Sequence, residues 1–206
     1  MPHVLSFRRR YAVGKRALDV AICVVLMPLL IVAIGACAIA IKLDSPGPIF
    51  FTQERTGRHG RRFRMYKFRT MVTNAEELKA SLQHLSIVPA PDFKIIDDPR
   101  ITRVGRFLRR TSLDELPQVL NVLRGEMSLV GPRPTSFSST TYDLWHTERL
   151  EVLPGVTGLW QVIGRNEATF DERLRLDIAY IDRMSFGLDL WILVRTALAV
   201  ARRSGA

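Results

Sequence analysis

The sequence is poor in the residues that make covalent or metal cross-links. Its two cysteines, Cys23 and Cys37, both lie inside one apolar run and have no metal-ligand spacing, which argues against a disulfide framework. The four histidines are scattered, and no two have the four-residue spacing that holds zinc on one helical face. We therefore expect a chain held together by an apolar core.

Acidic residues are the second shortage. Twenty Asp and Glu stand against thirty Lys and Arg, which gives a formal charge of +10 and a pI near 10.4. A chain this basic is expected to bind an anionic partner, such as nucleic acid, anionic lipid or a phosphorylated substrate. Few aromatic residues are interleaved with the basic ones, which argues against nucleic acid.

Charge is missing altogether from Val20 to Ile41. As a straight helix this stretch would extend about 33 Å, roughly the hydrocarbon thickness of a bilayer. It is longer than the apolar part of a signal peptide, about 7–15 residues, so a cleaved leader is set aside. The run predicts a membrane segment.

The charges that flank this run do not fit a simple crossing. Both flanks are rich in arginine and lysine, so both ends look cytoplasmic by the positive-inside rule. Pro28 lies a third of the way along and removes a backbone donor, so the helix should bend there. A re-entrant helix, which enters one leaflet and returns, satisfies both observations. An ordinary crossing and a buried core helix remain as alternatives.

The pattern divides the chain into two parts. Residues 1–44 form an N-terminal basic segment with the re-entrant membrane helix, and residues 45–206 form a cytoplasmic domain. In that domain, Ile49 to Arg55 and Arg62 to Arg69 are strand-like runs that predict a basic β-hairpin. The other periodic stretches are helical, so the expected fold class is α+β, mainly α, with interfacial amphipathic helices.

Two capping boxes mark predicted helix starts in this domain. Ser112 with Glu115 opens the first helix, and Thr169 with Glu172 opens the second. The first helix carries an apolar stripe that ends at Gly125: Leu116, Val119, Leu120 and Leu123. A last helix, at about residues 188–203, is too short and too charged to span hydrocarbon, so it lies on the membrane surface or packs on the core.

Asp114 and Glu115 are adjacent acids at the first of these helix starts, close to Arg109. One interpretation is structural, because carboxylates in a first turn stabilise the helix dipole and cap free amides. The other is chemical: a carboxylate near arginines stays ionised, so it can attack phosphorus or bind Mg²⁺ between phosphate oxygens. Composition alone does not decide between them.

Basic residues recur beside turn-forming residues in the soluble part. They are Lys67, Arg69, Arg109, Arg133 and Arg165. Pro132 and Pro134 fix the backbone that presents Arg133, which suits bidentate recognition of phosphate. Any one of these residues could be a solvated surface charge. Their clustering in Gly- and Pro-rich loops favours a phosphate-binding site.

Six segments occur in an order that identifies a family. They are KRALDV, the apolar run, KLDSPGPIFFTQERTG, YKFRTM, TSLDELPQVLNVLRGEMSLVGPRP and PGVTGLWQVIGRN. Together they resemble the bacterial sugar transferase family of monotopic phosphoglycosyl transferases, from about Lys15 to Val200. Many members have Ser-Pro where this chain has Met27-Pro28, and Pro28 alone still predicts a membrane bend.

The resemblance implies a mechanism. Asp114 matches the nucleophile and Glu115 its acidic partner in a catalytic dyad, so Asp114 would attack the β-phosphate of a UDP-sugar and release UMP. A polyprenyl phosphate would then attack the sugar-phosphate left on the carboxylate. The family's need for Mg²⁺ makes Asp114 and Glu115 candidate metal ligands as well. Arg109 matches an arginine that holds phosphate, and the positions credited with the nucleotide sugar are Lys67, Arg133, Gln161 and Arg165.

The resemblance also implies the substrates and the location. The expected step is the first membrane step of exopolysaccharide or O-antigen (lipopolysaccharide) synthesis, on the cytoplasmic face of the bacterial inner membrane. Undecaprenyl phosphate would be the acceptor, with membrane lipids as neighbours. TGLWQV resembles a branch that often uses glucose or galactose, so UDP-glucose or UDP-galactose is the expected donor, and a homodimer is left open. The alternative from another class is a non-catalytic, basic membrane-surface adaptor.

Overall fold

One long helix, α1 (Pro2–Asp44), begins the structure, a computed structural model that describes residues 2–87, 93, 95–136, 144–163 and 169–202, with side chains from residue 10 onward. The hairpin strands and the first short helix follow: β1 (Phe50–Thr56), β2 (Arg62–Phe68) and α2 (Ala75–Ser81). The middle of the chain contains α3 (Arg103–Arg110), a 3-10 helix (Leu113–Gln118), α4 (Val119–Arg124), β3 (Ser128–Val130) and a second 3-10 helix (Leu144–Glu151). The chain then forms β4 (Gly155–Thr157), α5 (Leu159–Ile163), α6 (Phe170–Asp182) and α7 (Phe186–Ala201). The mainly helical α+β prediction is confirmed.

Helix α1 packs against the rest of the chain on both sides of Pro28, which the helix includes. Before Pro28, Cys23 lies in an apolar cluster with Met65 and Val122. After it, Cys37 and Ile41 lie in a separate cluster, packed mainly against β2 and α3. Helix α1 therefore packs along the rest of the chain on both sides of Pro28.

Polar contacts anchor the N-terminal half of α1. Lys15 Nζ lies 2.7 Å from Asp189 Oδ2 and Tyr11 Oη donates to the same oxygen at 2.6 Å. Arg16 donates to the backbone carbonyl of Leu123 at 2.9 Å, where the free carbonyls at the end of α4 accept hydrogen bonds. Asp19 accepts a hydrogen bond from Ser128 Oγ at 2.7 Å. These bonds fix the register of α1 on the domain.

The outer face of α1 is apolar and exposed. The part of α1 from Arg10 to Asp44 is long enough and apolar enough to cross a membrane, judged by its length and composition alone. The exposed side chains include Val25, Leu29, Val32 and Leu43, of which Leu43 is 84% exposed. An apolar surface this extensive needs a covering other than water.

The predicted hairpin is confirmed. Strands β1 and β2 pair antiparallel, with Phe50 opposite Phe68 and Thr56 opposite Arg62. The rings of Phe50 and Phe68 stack at 5.6 Å at the base of the hairpin, next to the end of α1. The hairpin therefore places Lys67, the neighbour of Phe68, near the C-terminal end of α1.

The prediction of a capping box at Ser112 is wrong. Ser112 adopts a left-handed backbone (φ 56°), and in the part of the chain that is described its side chain caps no helix. The segment that follows is a 3-10 helix containing Pro117, which cannot donate an α-helical hydrogen bond. The regular helix α4 begins only at Val119, and it ends at Gly125 as predicted. The carboxylate of Glu115 is bonded elsewhere, as described below.

The apolar stripe predicted after Ser112 is also only partly right. Leu120 is 42% exposed, whereas Val122 and Asn121 are fully buried. The reason is that the segment changes from three residues per turn to 3.6 at Val119, which rotates the buried face. Asn121 uses its side chain to bond the backbone of β2 at Arg64 and Tyr66.

The second capping box is confirmed. Thr169 Oγ1 accepts from the backbone N–H of Glu172, and the Glu172 carboxylate accepts from the backbone N–H of Thr169. Helices α6 and α7 pack on the β3–β4 pair through a core that contains Val130, Tyr180 and Ile192. Ile192 of α7 is fully buried while Leu190 is 63% exposed. The last helix therefore packs one face on the core and leaves the other open.

Gly105 allows α3 to lie directly on the backbone of Thr70. A Cβ at Gly105 would approach the Thr70 carbonyl oxygen to 2.1 Å. We expect Gly105→Ala to lower the free energy of unfolding by about 1–3 kcal/mol or more, because backbone cannot move aside as a side chain can. The thermal midpoint of the detergent-solubilised protein measures this.

Gly187→Ala is the matched control for that experiment. Gly187 is also helical, and nothing lies within 4 Å of a Cβ built there. Its replacement should leave the midpoint unchanged or raise it slightly, since alanine favours helix. Equal midpoints for the two variants would contradict the close approach at Gly105.

Candidate active site

Glu115 is the centre of a cluster of opposite charges. Its Oε1 accepts a hydrogen bond from Lys67 Nζ at 2.8 Å and another from Arg133 Nη2 at 2.7 Å. Lys67 comes from β2, and Arg133 comes from the loop that follows β3. The 3-10 helix, the hairpin and the Pro-flanked loop therefore meet at this carboxylate.

These contacts keep Glu115 ionised. Burial alone would raise the pKa of Glu115, but the charges of Arg133 and Lys67 outweigh it and hold the pKa far below its usual range. Glu115 stabilises the charged form of Arg133 in return, and its negative charge raises the pKa of the Arg133 guanidinium. A carboxylate bonded to two cations is a poor nucleophile, but it fixes both cations in place.

Asp114 has the opposite environment. Its side chain is 13% exposed and Oδ2 lies 3.9 Å from Lys67 Nζ. Among the described residues, neither oxygen of Asp114 accepts a hydrogen bond. Burial raises the pKa of Asp114, with the charge of Glu115 acting in the same direction and that of Lys67 opposing both. Of the two acids, Asp114 is the one whose oxygens are available for chemistry.

Arg109 faces the same site from α3. Its Nε donates to Thr70 Oγ1 at 2.9 Å, and burial lowers its pKa while the charge of Asp114 opposes that change. In the described ranges it makes no other side-chain hydrogen bond, so its terminal N–H groups remain to bind an anion. Lys67, Arg109 and Arg133 thus supply three cations around two acids, a net positive site.

Two further predicted residues lie in different surroundings. Arg69 donates to the backbone carbonyl and hydroxyl of Ser45 at 2.8 and 2.9 Å and also to the carbonyl of Pro46. It holds the turn that follows α1, and its role in substrate binding stays a prediction. Gln161 donates to the carbonyl of Val156 at 3.4 Å. Arg165 lies outside the described residues.

The sequence interpretation missed a buried ion pair close to this site. Arg149 Nη2 lies 2.6 Å from Asp177 Oδ2, and Arg149 also donates to the backbone carbonyl of Arg133. One signal could have indicated it: Asp177 falls between Leu174 and Ile181 on the apolar stripe of α6, which predicts a buried acid with a partner.

The two acids fit a magnesium ion that takes further ligands from a substrate. In the chain as described there is no group of three or more His, Cys, Asp or Glu that could hold a metal alone. Mg²⁺, however, is usually bound through one or two carboxylates together with substrate phosphates and water. Neither oxygen of Asp114 accepts a hydrogen bond among the described residues, although Oδ2 lies 3.9 Å from Lys67 Nζ, and Glu115 keeps spare lone pairs. The Mg²⁺ site itself stays a prediction.

A family model described as bacterial sugar transferase matches residues 10–203. The chain is 42% identical over 203 residues to galactosyl transferase CpsE of Streptococcus agalactiae, covering 97% of this chain and 45% of that protein. It is 50% identical over 165 residues to the undecaprenyl-phosphate galactose phosphotransferase of Salmonella typhimurium, covering 78% and 35%. Exopolysaccharide production protein ExoY of Sinorhizobium fredii is 37% identical over 203 residues, covering 94% and 88%. The chain thus spans less than half of the first two relatives and most of the third.

Proposed function

Because the chain belongs to the bacterial sugar transferase family, we propose that it moves a sugar-1-phosphate from a UDP-sugar to undecaprenyl phosphate. The observation that carries the proposal is the division between the two acids. Glu115 accepts hydrogen bonds from Lys67 and Arg133, while Asp114 beside it accepts none among the described residues and only approaches Lys67, at 3.9 Å. One acid organises the cations and the other can react.

The proposed reaction has two displacements at one phosphorus atom. An oxygen of Asp114 attacks the β-phosphorus of the UDP-sugar, and the bond from that phosphorus to the bridging oxygen breaks, so UMP leaves with the bond's electron pair. A phosphate oxygen of undecaprenyl phosphate then attacks the same phosphorus and frees the Asp114 carboxylate. The product is a lipid-linked sugar diphosphate.

The cations of the site serve both displacements. Lys67 and Arg109 lie around Asp114, and they would neutralise the phosphoryl oxygens as charge develops on them. Mg²⁺ held by Asp114 and Glu115 would supply further charge to the diphosphate. Glu115 positions Lys67 and Arg133, so that the cations are fixed before the substrate arrives.

We further propose that α1 is re-entrant and that both of its ends lie on the cytoplasmic face of the bacterial inner membrane. Residues on both sides of Pro28 contact the same soluble domain, from Tyr11 at Asp189 to Ile41 in the cluster with Phe68. A straight crossing would carry these two flanks about 30 Å or more apart, on opposite sides of the bilayer.

Single cysteines at Ala12 and Pro48 test this topology, with Cys23 and Cys37 changed to Ser. A membrane-impermeant maleimide should label both positions in inside-out vesicles and neither in right-side-out vesicles. Labelling of one position from each side would contradict the re-entrant helix.

An apolar cleft between α1 and α3 supports a polyprenyl acceptor. Its volume is about 630 Å³. The lining residues are Ala33, Ala36, Cys37, Ala40, Asp44, Arg103, Val104, Phe107, Leu108 and Leu113. Small side chains on α1 open the cleft, and Leu113 directly precedes Asp114. We place the first prenyl units of the acceptor there, because the cleft lies beside the apolar face of α1 and one of its lining residues, Leu113, is the chain neighbour of the nucleophile.

Filling the cleft should weaken acceptor binding alone. We expect Ala40→Trp to raise the KM for undecaprenyl phosphate about tenfold, which corresponds to about 1.4 kcal/mol, and to leave UMP release in the absence of acceptor unchanged. Ile31→Trp is the matched control, since Ile31 is 62% exposed and lies on the opposite side of the helix. An unchanged KM for Ala40→Trp would contradict the placement.

The experiment that tests the whole proposal measures UMP from a panel of UDP-sugars with undecaprenyl phosphate and Mg²⁺. UDP-glucose and UDP-galactose are the expected donors, and UDP-N-acetylgalactosamine belongs in the panel because relatives named for all three sugars match the chain. No UMP from any donor, with retained binding to anionic vesicles, would favour the non-catalytic adaptor instead.

A further inference from the structure

The buried pair Arg149–Asp177 contacts the loop that carries Arg133 between Pro132 and Pro134. Arg149 is 5% exposed on the 3-10 helix Leu144–Glu151, and Asp177 is 1% exposed on α6. Their closest atoms, Nη2 and Oδ2, are 2.6 Å apart. Neither residue touches Asp114 or Glu115 through a hydrogen bond in the described structure, so the pair belongs to a layer outside the reacting groups.

The pair contacts the peptide of Arg133 at its carbonyl oxygen. Arg149 Nη2, the atom that bonds Asp177, also donates to the Arg133 carbonyl oxygen. Burial raises the pKa of Asp177 to about 7, and the charge and the hydrogen bond of Arg149 oppose that rise. The backbone of Arg133 is thus held by the pair, while its guanidinium is held by Glu115 at 2.7 Å.

Stability alone does not account for this pair. Removing two charges from water is costly, and an apolar pair of similar volume often stabilises a protein as well or better. The pair is also incompletely satisfied, because Arg149 Nε and Asp177 Oδ1 are buried and find no hydrogen-bond partner among the described residues. Its geometry is instead directed at one peptide, in a loop where Pro132 and Pro134 lack backbone donors.

We propose that Arg149 and Asp177 are positioning residues that fix the peptide of Arg133, so that its guanidinium meets Glu115 beside the nucleophile. The inference rests on the proposed function. It adds two residues to the machinery that act through Arg133 and do not touch substrate.

An apolar replacement separates positioning from stability. We expect Arg149→Met with Asp177→Leu to keep a thermal midpoint near that of the wild type, because neither buried charge is left unpaired. UMP release should nevertheless fall at least tenfold, since the Arg133 carbonyl has lost its donor. Recovery of wild-type turnover in this double variant would overturn the proposal. Arg175→Met, on the exposed side of α6, is the control and should keep full activity.

A double-mutant cycle tests the same proposal if the Arg149→Met, Asp177→Leu variant does not fold. Arg149→Lys keeps the charge but loses the planar fork, so it should reduce UMP release about fivefold to tenfold in the wild-type background. With Arg133→Met already in place, the same change should have less than a twofold effect. Equal effects in both backgrounds would show that Arg149 does not act through Arg133.

Hydrogen–deuterium exchange separates this proposal from the proposed function. If the wild-type chain releases no UMP from any donor, the proposed function fails, yet the amides of residues 129–135 can still be followed. The Arg149→Met, Asp177→Leu variant should exchange the Gly131 amide, which donates to the Thr157 carbonyl at the start of the Arg133 loop, at least tenfold faster than the wild type, and Arg175→Met should not. Unchanged exchange at Gly131 would overturn the positioning role on structural grounds alone.

Discussion

Asp114→Asn is expected to abolish UMP release, with a loss on the order of 10⁴-fold, as for removal of a catalytic nucleophile. An amide cannot form the acyl phosphate, so no sugar-phosphate should become attached to the protein. The fold should survive, because Asp114 accepts no hydrogen bond among the described residues and Asn has nearly the same shape. The raised pKa of Asp114 supports this expectation, since the folded state disfavours the charge that the substitution removes.

The measurements are UMP release and the intact mass of the protein after exposure to UDP-sugar without acceptor. The wild type should gain the mass of one sugar phosphate, and Asp114→Asn should gain nothing. Asp182→Asn, at the exposed end of α6, is the matched control and should behave as the wild type. Turnover that persists in Asp114→Asn would rule out covalent catalysis by this residue.

The hairpin and the second capping box were predictable because both are local. Strand periodicity in β1 and β2 and the Thr169–Glu172 pair need only a few neighbouring residues to form. The Ser112–Glu115 box has the same local pattern but fails, since the Glu115 carboxylate meets Lys67, 48 residues away, and Arg133, 18 residues away. A local sequence pattern does not show that these distant cations are nearby, so it could not predict that the Glu115 carboxylate would bind them instead of the backbone amide of Ser112.

In the candidate site, too, the sequence predicts which residues take part but not which contacts they make. Motif resemblance points to Asp114 and Glu115 together. The difference between them depends on tertiary contacts, because Glu115 accepts hydrogen bonds from two cations and Asp114 accepts none among the described residues. The position of α1 is a further example. Its apolar character is evident from composition, whereas its anchoring through Asp19 to Ser128 joins residues 109 apart. Charges on the two flanks predict that both ends lie on one side, but they do not predict which face of the helix packs.

Glu115→Gln is expected to have the second largest effect, a loss of about 10²-fold in UMP release, comparable to removal of one preorganised electrostatic group. Gln keeps the shape and can still accept hydrogen bonds, but it carries no charge to offset Lys67 and Arg133, so these cations repel each other and one of them moves closer to Asp114. An ion pair closer than the present 3.9 Å contact with Lys67 would make Asp114 a weaker nucleophile. Glu76→Gln, whose side chain is 88% exposed, is the control and should leave UMP release unchanged.

Stability distinguishes the two adjacent acids, because their pKa values shift in opposite directions. Removing one partner of a buried ion pair costs about 3–5 kcal/mol, so Glu115→Gln should lower the free energy of unfolding while Asp114→Asn should not. The depressed pKa of Glu115 stabilises the fold above its ordinary value of 4.5, and this contribution is lost as pH falls below it. The thermal midpoint of Glu115→Gln should therefore depend less on pH in the acid range than that of the wild type. If both variants lose equal stability, the two carboxylates share one environment, and the assignment of separate roles is wrong.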